Sequence, residues 1–342
     1  MRRLAGLVDP FILLLFGTVL VAVLLPAQGG VADGFSWATK IAVGLIFFLY
    51  GARLSTKEAV DGLRHWRLHL AVLLCTFALF PLLGLASAGL VPHVLTPELQ
   101  TGLLFCCLVP STIQSSIAFT SIARGNVPAA ICAGTYSSLF GVVATPLLAA
   151  WLIGGYAGLS ATALVEIGCQ LLAPFLAGQL LRRWIGGFLT RRRRITSTVD
   201  RGAILLVVYT AFSEGMAEGV WGAVTPLRLG ALLAVEAVLL AVMLLLTWYG
   251  SKRLRFVRQD RVALTFAGSK KSLAAGLPMA SVLFGSGAAL AVLPLMLFHQ
   301  MQLVVCAFLA RRWGRAAPAE EPEVAHAPAG GQPASAGGGV RG

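Results

Sequence analysis

Ten stretches of about 20 mostly apolar residues follow one another along the chain, at 9–28, 35–53, 68–90, 99–122, 126–151, 162–182, 202–221, 228–250, 262–285 and 288–310. A helix of about 20 residues, rising 1.5 Å per residue, matches the roughly 30 Å of bilayer hydrocarbon. In hydrocarbon the backbone polar groups must be satisfied within the protein, which favours helices. The pattern predicts an all-α polytopic membrane protein, with one ten-helix transmembrane domain over residues 1–315. The chain is 57% hydrophobic and 12% charged, whereas soluble domains carry about 25% charged residues, so lipid has to serve as solvent for most of the surface. The first run follows Arg2 and Arg3 but has no A-x-A cleavage site, so it is expected to stay as the first span. The Ala/Pro/Gly-rich stretch 316–342 has no apolar period and is expected to be a disordered cytoplasmic tail.

Charge placement supports the span count. The net charge of +13 would suggest nucleic acid on a soluble chain, but here the basic residues lie between apolar runs. With a cytoplasmic N-terminus and ten crossings, 23 of the 27 basic residues fall on the inner side, in clusters such as Arg191 to Arg194 and Lys252 to Arg261. The positive-inside rule therefore favours a multi-pass protein of the cell (plasma or inner) membrane with both termini cytoplasmic. Ten spans divide into two sets of five, at about 9–151 and 162–310. Five is odd, so the second set would be inverted, a common plan among secondary transporters.

Two runs turn polar at their centres. Pro110-Ser111-Thr112-Ile113-Gln114-Ser115-Ser116 interrupts the fourth. One reading is a kinked helix whose hydroxyls bond back to their own carbonyls; the other is an unwound crossover lining a solute or ion site. Gly268-Ser269-Lys270-Lys271-Ser272 interrupts the ninth. Lys270 and Lys271 lie nine and ten residues past Arg261, roughly 13–15 Å along a helix, too deep to reach the inner surface easily. A lysine there should face carbonyls, a carboxylate or an aqueous cavity. Thr112, Gln114, Ser115, Ser116, Ser269, Lys270 and Lys271 are thus candidate substrate- or ion-binding residues. Glu214, which follows Tyr209, Thr210 and Ser213, is a candidate for pairing with a lysine or contacting solute. Glu236, in the eighth run, reads as a structural ion-pair partner. Thr135 and Ser138 in the fifth run either glue helices together or complete a cation shell. His299, near Gln300 and Gln302, reads either as a packing residue or as a functional one.

The six cysteines all lie inside apolar runs without a CxxC pair, which suggests packing rather than a metal site or disulfides. No HExxH, GxSxG or Walker A motif occurs. The chain is therefore expected not to be an enzyme and to need no cofactor.

At Ala123-Arg124-Gly125-Asn126-Val127, Phe48 to Leu54 and Phe77 to Leu82 the sequence resembles the bile acid:sodium symporter family. The likeness is strongest to the divergent branch that holds the seventh human member and its bacterial and fungal relatives, and it covers residues 5–312. The resemblance implies a panel of spans one, two, six and seven, and a core of the rest, with spans four and nine broken and crossing. It also implies Na⁺ ligands at Ser115, Ser116, Thr135 and Ser138, with Thr76 at a position held by glutamine in sodium-coupled members. Span nine departs from that pattern: the glutamate serving both ions aligns with Phe266, and the following glutamine and asparagine with Lys270 and Lys271. An ammonium beside a Na⁺ site repels the ion, so one lysine is expected to occupy a cation's place, to attract an anion, to carry a proton or to stabilise the crossover. The expected function is a secondary transporter of a small organic anion working by alternating access; the alternative is a non-transporting regulator of cation (calcium) homeostasis. The expected partners are that solute and the lipid bilayer, with no nucleic acid.

Overall fold

The computed structural model describes residues 10–53, 65–153, 161–217, 219 and 224–316. Every regular element within them is helical. In chain order, α1 is Pro10–Leu24, α2 Gly30–Arg53 and α3 Trp66–Leu74. A π-helical turn, Cys75–Leu79, carries α3 into α4, Phe80–Ala86. Then come α5 Pro97–Leu108, α6 Gln114–Ile122, α7 Val127–Leu152, α8 Ala161–Arg191 and α9 Arg193–Ala217. The chain ends with α10 Pro226–Arg253, α11 Arg258–Gly268, α12 Leu273–Phe284 and α13 Ala288–Arg315.

Helix starts follow local chemistry. Thr96, Asn126, Thr225 and Ser272 each accept a hydrogen bond from a backbone N–H in the first turn of α5, α7, α10 and α12. Proline stands in that turn in α5, α7 and α10, where its missing N–H costs nothing.

Six helices among the described residues are long and apolar enough to cross a bilayer: Gly30–Arg53, Trp66–Leu90, Val127–Leu152, Arg194–Ala217, Pro226–Arg253 and Ala288–Arg315. Large apolar side chains such as Leu227, Trp151 and Leu180 stand exposed on the outside, as expected where lipid is the solvent. The fourth and ninth apolar runs are each split in two, into α5 and α6 and into α11 and α12. Each half has 9 to 12 residues, about 14–18 Å of helix and roughly half a bilayer. Residues 317–342 of the expected tail lie outside the described residues.

The helices sort into two groups. α2 lies along α8, α1 along α9, and α9 against α2. The α2–α8 crossing brings backbones together: a Cβ added at Gly51 would collide with the Phe175 carbonyl, and one at Gly178 with the Phe48 carbonyl. In the other group α5 packs on α4 and α13, α11 on α3, α7 and α10, and α12 on α13. The groups meet where α9 touches α12 and α13 and where α8 touches α7.

The Ala123–Val127 stretch is a locked corner within the second group. Arg124 takes a positive φ of 52°, and the Gly125 N–H donates to the Thr120 carbonyl. A Cβ on Gly125 would press into Val262 and Thr120. Asn126 caps α7 through Ala129 N–H, and its amide donates to Asp260 Oδ1 at 2.7 Å. The corner between α6 and α7 is thereby tied to the start of α11.

Candidate functional site

A helix that stops inside a membrane protein leaves its last carbonyls without intrahelical partners, and burial makes each orphan costly. At the end of α5 four successive carbonyls, Cys107 to Pro110, find donors. The Leu108 carbonyl accepts from Thr145 Oγ1 at 2.9 Å, and the Pro110 carbonyl from Ser272 N–H at 2.8 Å. The Cys107 and Val109 carbonyls accept from Lys271 Nζ at 2.6 and 2.9 Å. The third proton of Lys271 Nζ goes to the Thr76 carbonyl, 2.9 Å away in the π-helical turn. A lysine ammonium has three N–H donors, so Lys271 is saturated by three backbone carbonyls. The negative end of the α5 dipole adds to the attraction, and the ammonium lies 4.2 Å from the centre of the Phe80 ring.

The main chain of Lys271 is held as well. Its N–H donates to Gln302 Oε1 and its carbonyl accepts from Gln302 Nε2, both at 2.8 Å. His299 Nδ1 lies 3.3 Å from the same carbonyl and 2.8 Å from Gln302 Nε2. The end of α11 is satisfied from across the crossing: Ser111 Oγ donates to the Ala267 carbonyl and Ser116 Oγ to the Phe266 carbonyl at 3.1 Å. Ser111 N–H donates to Ser137 Oγ on α7 at 2.9 Å. Each break thus satisfies the other, most directly through Ser272 and Pro110.

Lys270 differs from its neighbour. It is fully buried, yet among the described residues its ammonium makes a single hydrogen bond, a donation to Ser115 Oγ at 3.1 Å. That ammonium otherwise stands 4.6 Å from the Phe119 ring centre and 5.8 Å from that of Phe266. Cation–π contacts stabilise such a group by about 0.5–2 kcal/mol but leave N–H donors for another acceptor.

The structure sorts the remaining sequence candidates. Ser115 and Ser116 join the crossing, and the half-buried Thr112 contributes a carbonyl to Ser116 Oγ at 2.6 Å. Ser269 Oγ bonds back to the Thr265 carbonyl of its own helix at 2.6 Å. Gln114 is exposed on the first turn of α6 and stays out of the buried set. Thr135 is buried and Ser138 half-buried on α7. Glu214 sits apart, on α9, and accepts from Ser36 Oγ at 3.2 Å. Glu236 is not the ion-pair partner expected. It is fully buried on α10, and both carboxylate oxygens are without a hydrogen-bond partner among the described residues. A carboxylate inside an apolar span suggested an ion-pair partner, but the lysines turn to carbonyls, a serine hydroxyl and aromatic rings instead.

Sequence reasoning missed the carbonyls of Thr76, Cys107 and Val109, because a backbone acceptor has no residue-type signature. It also missed a polar cavity of about 220 Å³ at the seam between the two helix groups. Ser36, Thr39 and Lys40 of α2, Gln170 of α8 and Glu214 of α9 face Ser281 of α12 across it. A larger groove of about 940 Å³, between α1 and α9, has mostly apolar walls that suit lipid.

The donor set differs from the Na⁺ ligation that the resemblance implies. Ser115 Oγ receives a bond from Lys270, Ser116 Oγ donates to carbonyls of both broken helices, and Phe266 replaces the expected carboxylate. Two ammonium groups at the crossing, with no carboxylate among the described residues hydrogen-bonded to either, do not fit a bound Na⁺.

The chain was compared with known proteins. The profile of the SBF-like CPA transporter family matches residues 9–315. An uncharacterized protein of Pseudomonas aeruginosa is 52% identical over 318 residues, 92% of this chain and 96% of that one. YfeH of Escherichia coli, whose name marks it as a candidate symporter, is 44% identical over 92% of this chain and 95% of its own. Sodium/bile acid cotransporter 7-B of Xenopus laevis is 30% identical over 78% of this chain and 79% of its own.

Proposed function

Because the chain belongs to the SBF-like CPA transporter family, we propose that it carries a small organic anion across the cell membrane by alternating access, with Lys271 standing in place of a coupling Na⁺. In this reading the chain crosses ten times, as two inverted five-helix repeats with both ends cytoplasmic. The group of α1, α2, α8 and α9 forms a panel that rocks against the other helices. The broken pairs α5–α6 and α11–α12 cross at mid-membrane.

The observation that carries the reading is the unequal pair of lysines at the crossing. Lys271 is saturated by three carbonyls, the oxygen environment a bound alkali cation would use. An ammonium tethered there does the structural work of the ion and cannot leave with the solute. Among the described residues Lys270 donates to no carbonyl and stands beside Ser115, three residues after the half-buried Thr112. An anion reaching Lys270 would gain a charge-assisted hydrogen bond, worth about 1.5–3 kcal/mol, together with hydroxyl contacts.

The test is uptake into proteoliposomes of labelled taurocholate and labelled citrate, a large and a small organic anion, with and without Na⁺. The expected result is saturable uptake of at least one, indifferent to Na⁺. Lys270→Met should weaken it about tenfold or more, in line with one lost charge-assisted contact, while the folded protein persists. Uptake that needs Na⁺ would mean that Lys271 does not replace the ion. Wild-type uptake by Lys270→Met would remove Lys270 from anion binding, and a complete absence of uptake would favour a regulator.

A further inference from the structure

Glu236 is a buried carboxylate that the crossing does not use. It lies ten residues into α10 from Pro226, about 15 Å from that end of the helix, and is 0% exposed. Neither oxygen receives a hydrogen bond from the described residues. The charged and titratable groups of α10 and of the elements packed around it give it no hydrogen bond among the described residues. On α10 itself Arg228 stands in the first turn and Lys252 and Arg253 in the last, and Glu98 is in the first turn of α5. On α11, Asp260 accepts from Asn126, Arg258 donates to the Trp313 carbonyl and Arg261 stacks on Trp248. On α13, His299 belongs to the Lys271–Gln302 cluster, and Arg311, Arg312 and Arg315 lie in its last two turns. Cys306, also on α13, feels the charge of Lys270, whose ammonium lies against Phe119. The thiols of Cys106 and Cys107 on α5 are within electrostatic reach of Glu236, and they also feel Lys271.

An ionised carboxylate with neither counter-charge nor donor costs far more to bury than a neutral acid. The geometry points to Glu236 as a proton-binding site of the transport cycle, filled while the group is buried and emptied when the cycle exposes it to water. The balance is simple. Glu236 takes one proton from water on one face, becomes the neutral acid, and returns that proton to water on the other face. The location also links it to the crossing. Glu236 lies within electrostatic reach of Cys107 on α5, whose carbonyl accepts from Lys271 Nζ. With Lys271 occupying the cation's place, a proton moving with the anion would supply the coupling. This inference rests on the transport reading above.

Two measurements test it on the full-length protein. Infrared difference spectroscopy of the protein in lipid, comparing wild type with Glu236→Gln, should show a protonated carboxyl C=O band at neutral pH that the variant lacks. A spectrum without that band means an ionised Glu236 and overturns the site. In proteoliposomes, an inward proton gradient should speed wild-type uptake of taurocholate or citrate several-fold, and Glu236→Gln should abolish that acceleration while keeping exchange of labelled for unlabelled anion. Should Glu236→Gln fail to fold, Glu236→Asp keeps the test alive, because it should retain the acceleration with a displaced pH profile. Wild-type uptake indifferent to the proton gradient overturns the coupling. No uptake of either anion sinks the transport reading and the coupling with it, while the infrared band still decides whether Glu236 holds a proton.

Discussion

Replacing Lys271 by methionine keeps the length of the side chain and deletes three donors. The carbonyls of Thr76, Cys107 and Val109, now 2.6–2.9 Å from Nζ, would be left buried without that partner. Each such loss costs about 1–3 kcal/mol, or about 3–9 kcal/mol for three. Removing a buried charge gives back part of this, because its desolvation penalty disappears, so a net loss of about 3 kcal/mol is expected. At roughly 2–4 °C per kcal/mol, the apparent melting midpoint in detergent should fall by about 6–12 °C. A second variant separates charge from packing. Lys271→Ala opens a space ringed by the same carbonyls, and Na⁺ should raise its midpoint while leaving wild type unmoved. A ligand at a hundred times its Kd stabilises by about 2.7 kcal/mol, enough to recover most of the loss. The carbonyl cage loses its assigned role if Lys271→Met melts with wild type, or if wild type rather than Lys271→Ala responds to Na⁺.

Two further expectations concern the frame that holds the site. Gly178→Ala should destabilise strongly, since its Cβ meets the Phe48 carbonyl, whereas Gly187→Ala, with open space around it, should be neutral; size-exclusion profiles and melting midpoints of the two purified variants compare them directly. Asn126→Ala removes a helix cap and a bond to Asp260, a loss of about 2–5 kcal/mol, and melting without a change in midpoint would refute the account of that corner.

Much of this architecture could be read from the sequence, because lipid imposes blunt rules. Six of the apolar runs match helices that are long and apolar enough to cross a bilayer among the described residues, and Pro110 with its hydroxyl neighbours, and Ser269 to Ser272, marked the two helix breaks. The depth of Lys270 and Lys271 signalled that both must face protein. Their division of labour was not legible. In an unwound segment adjacent side chains diverge, and no helical periodicity says which one meets carbonyls and which meets rings. The cage around Lys271 is built from main-chain oxygens of Thr76, Cys107 and Val109, positions whose side chains say nothing about it. Glu236 looked the same in sequence whether paired or alone, since pairing is a property of the folded neighbourhood. The seam cavity likewise depends on how α2, α8 and α9 meet α12. Ser36 and Ser281 are far apart in the chain and share no pattern.

That cavity has a pharmacological side. Its walls come from both helix groups, with Ser36 and Glu214 on one side and Ser281 on the other. A molecule that grips both walls can do so in only one relative position of the groups, so its whole binding free energy favours that position. If it bound that position ten-thousandfold more tightly, it would turn a rare arrangement into the dominant one. A rigid compound sized to the cavity's roughly 220 Å³ and bearing a donor for each serine oxygen, whose own protons go to Glu214 and to the Pro278 carbonyl, would therefore act as a conformational lock. Tight binding there would mark an inhibitor, and loose binding a cargo.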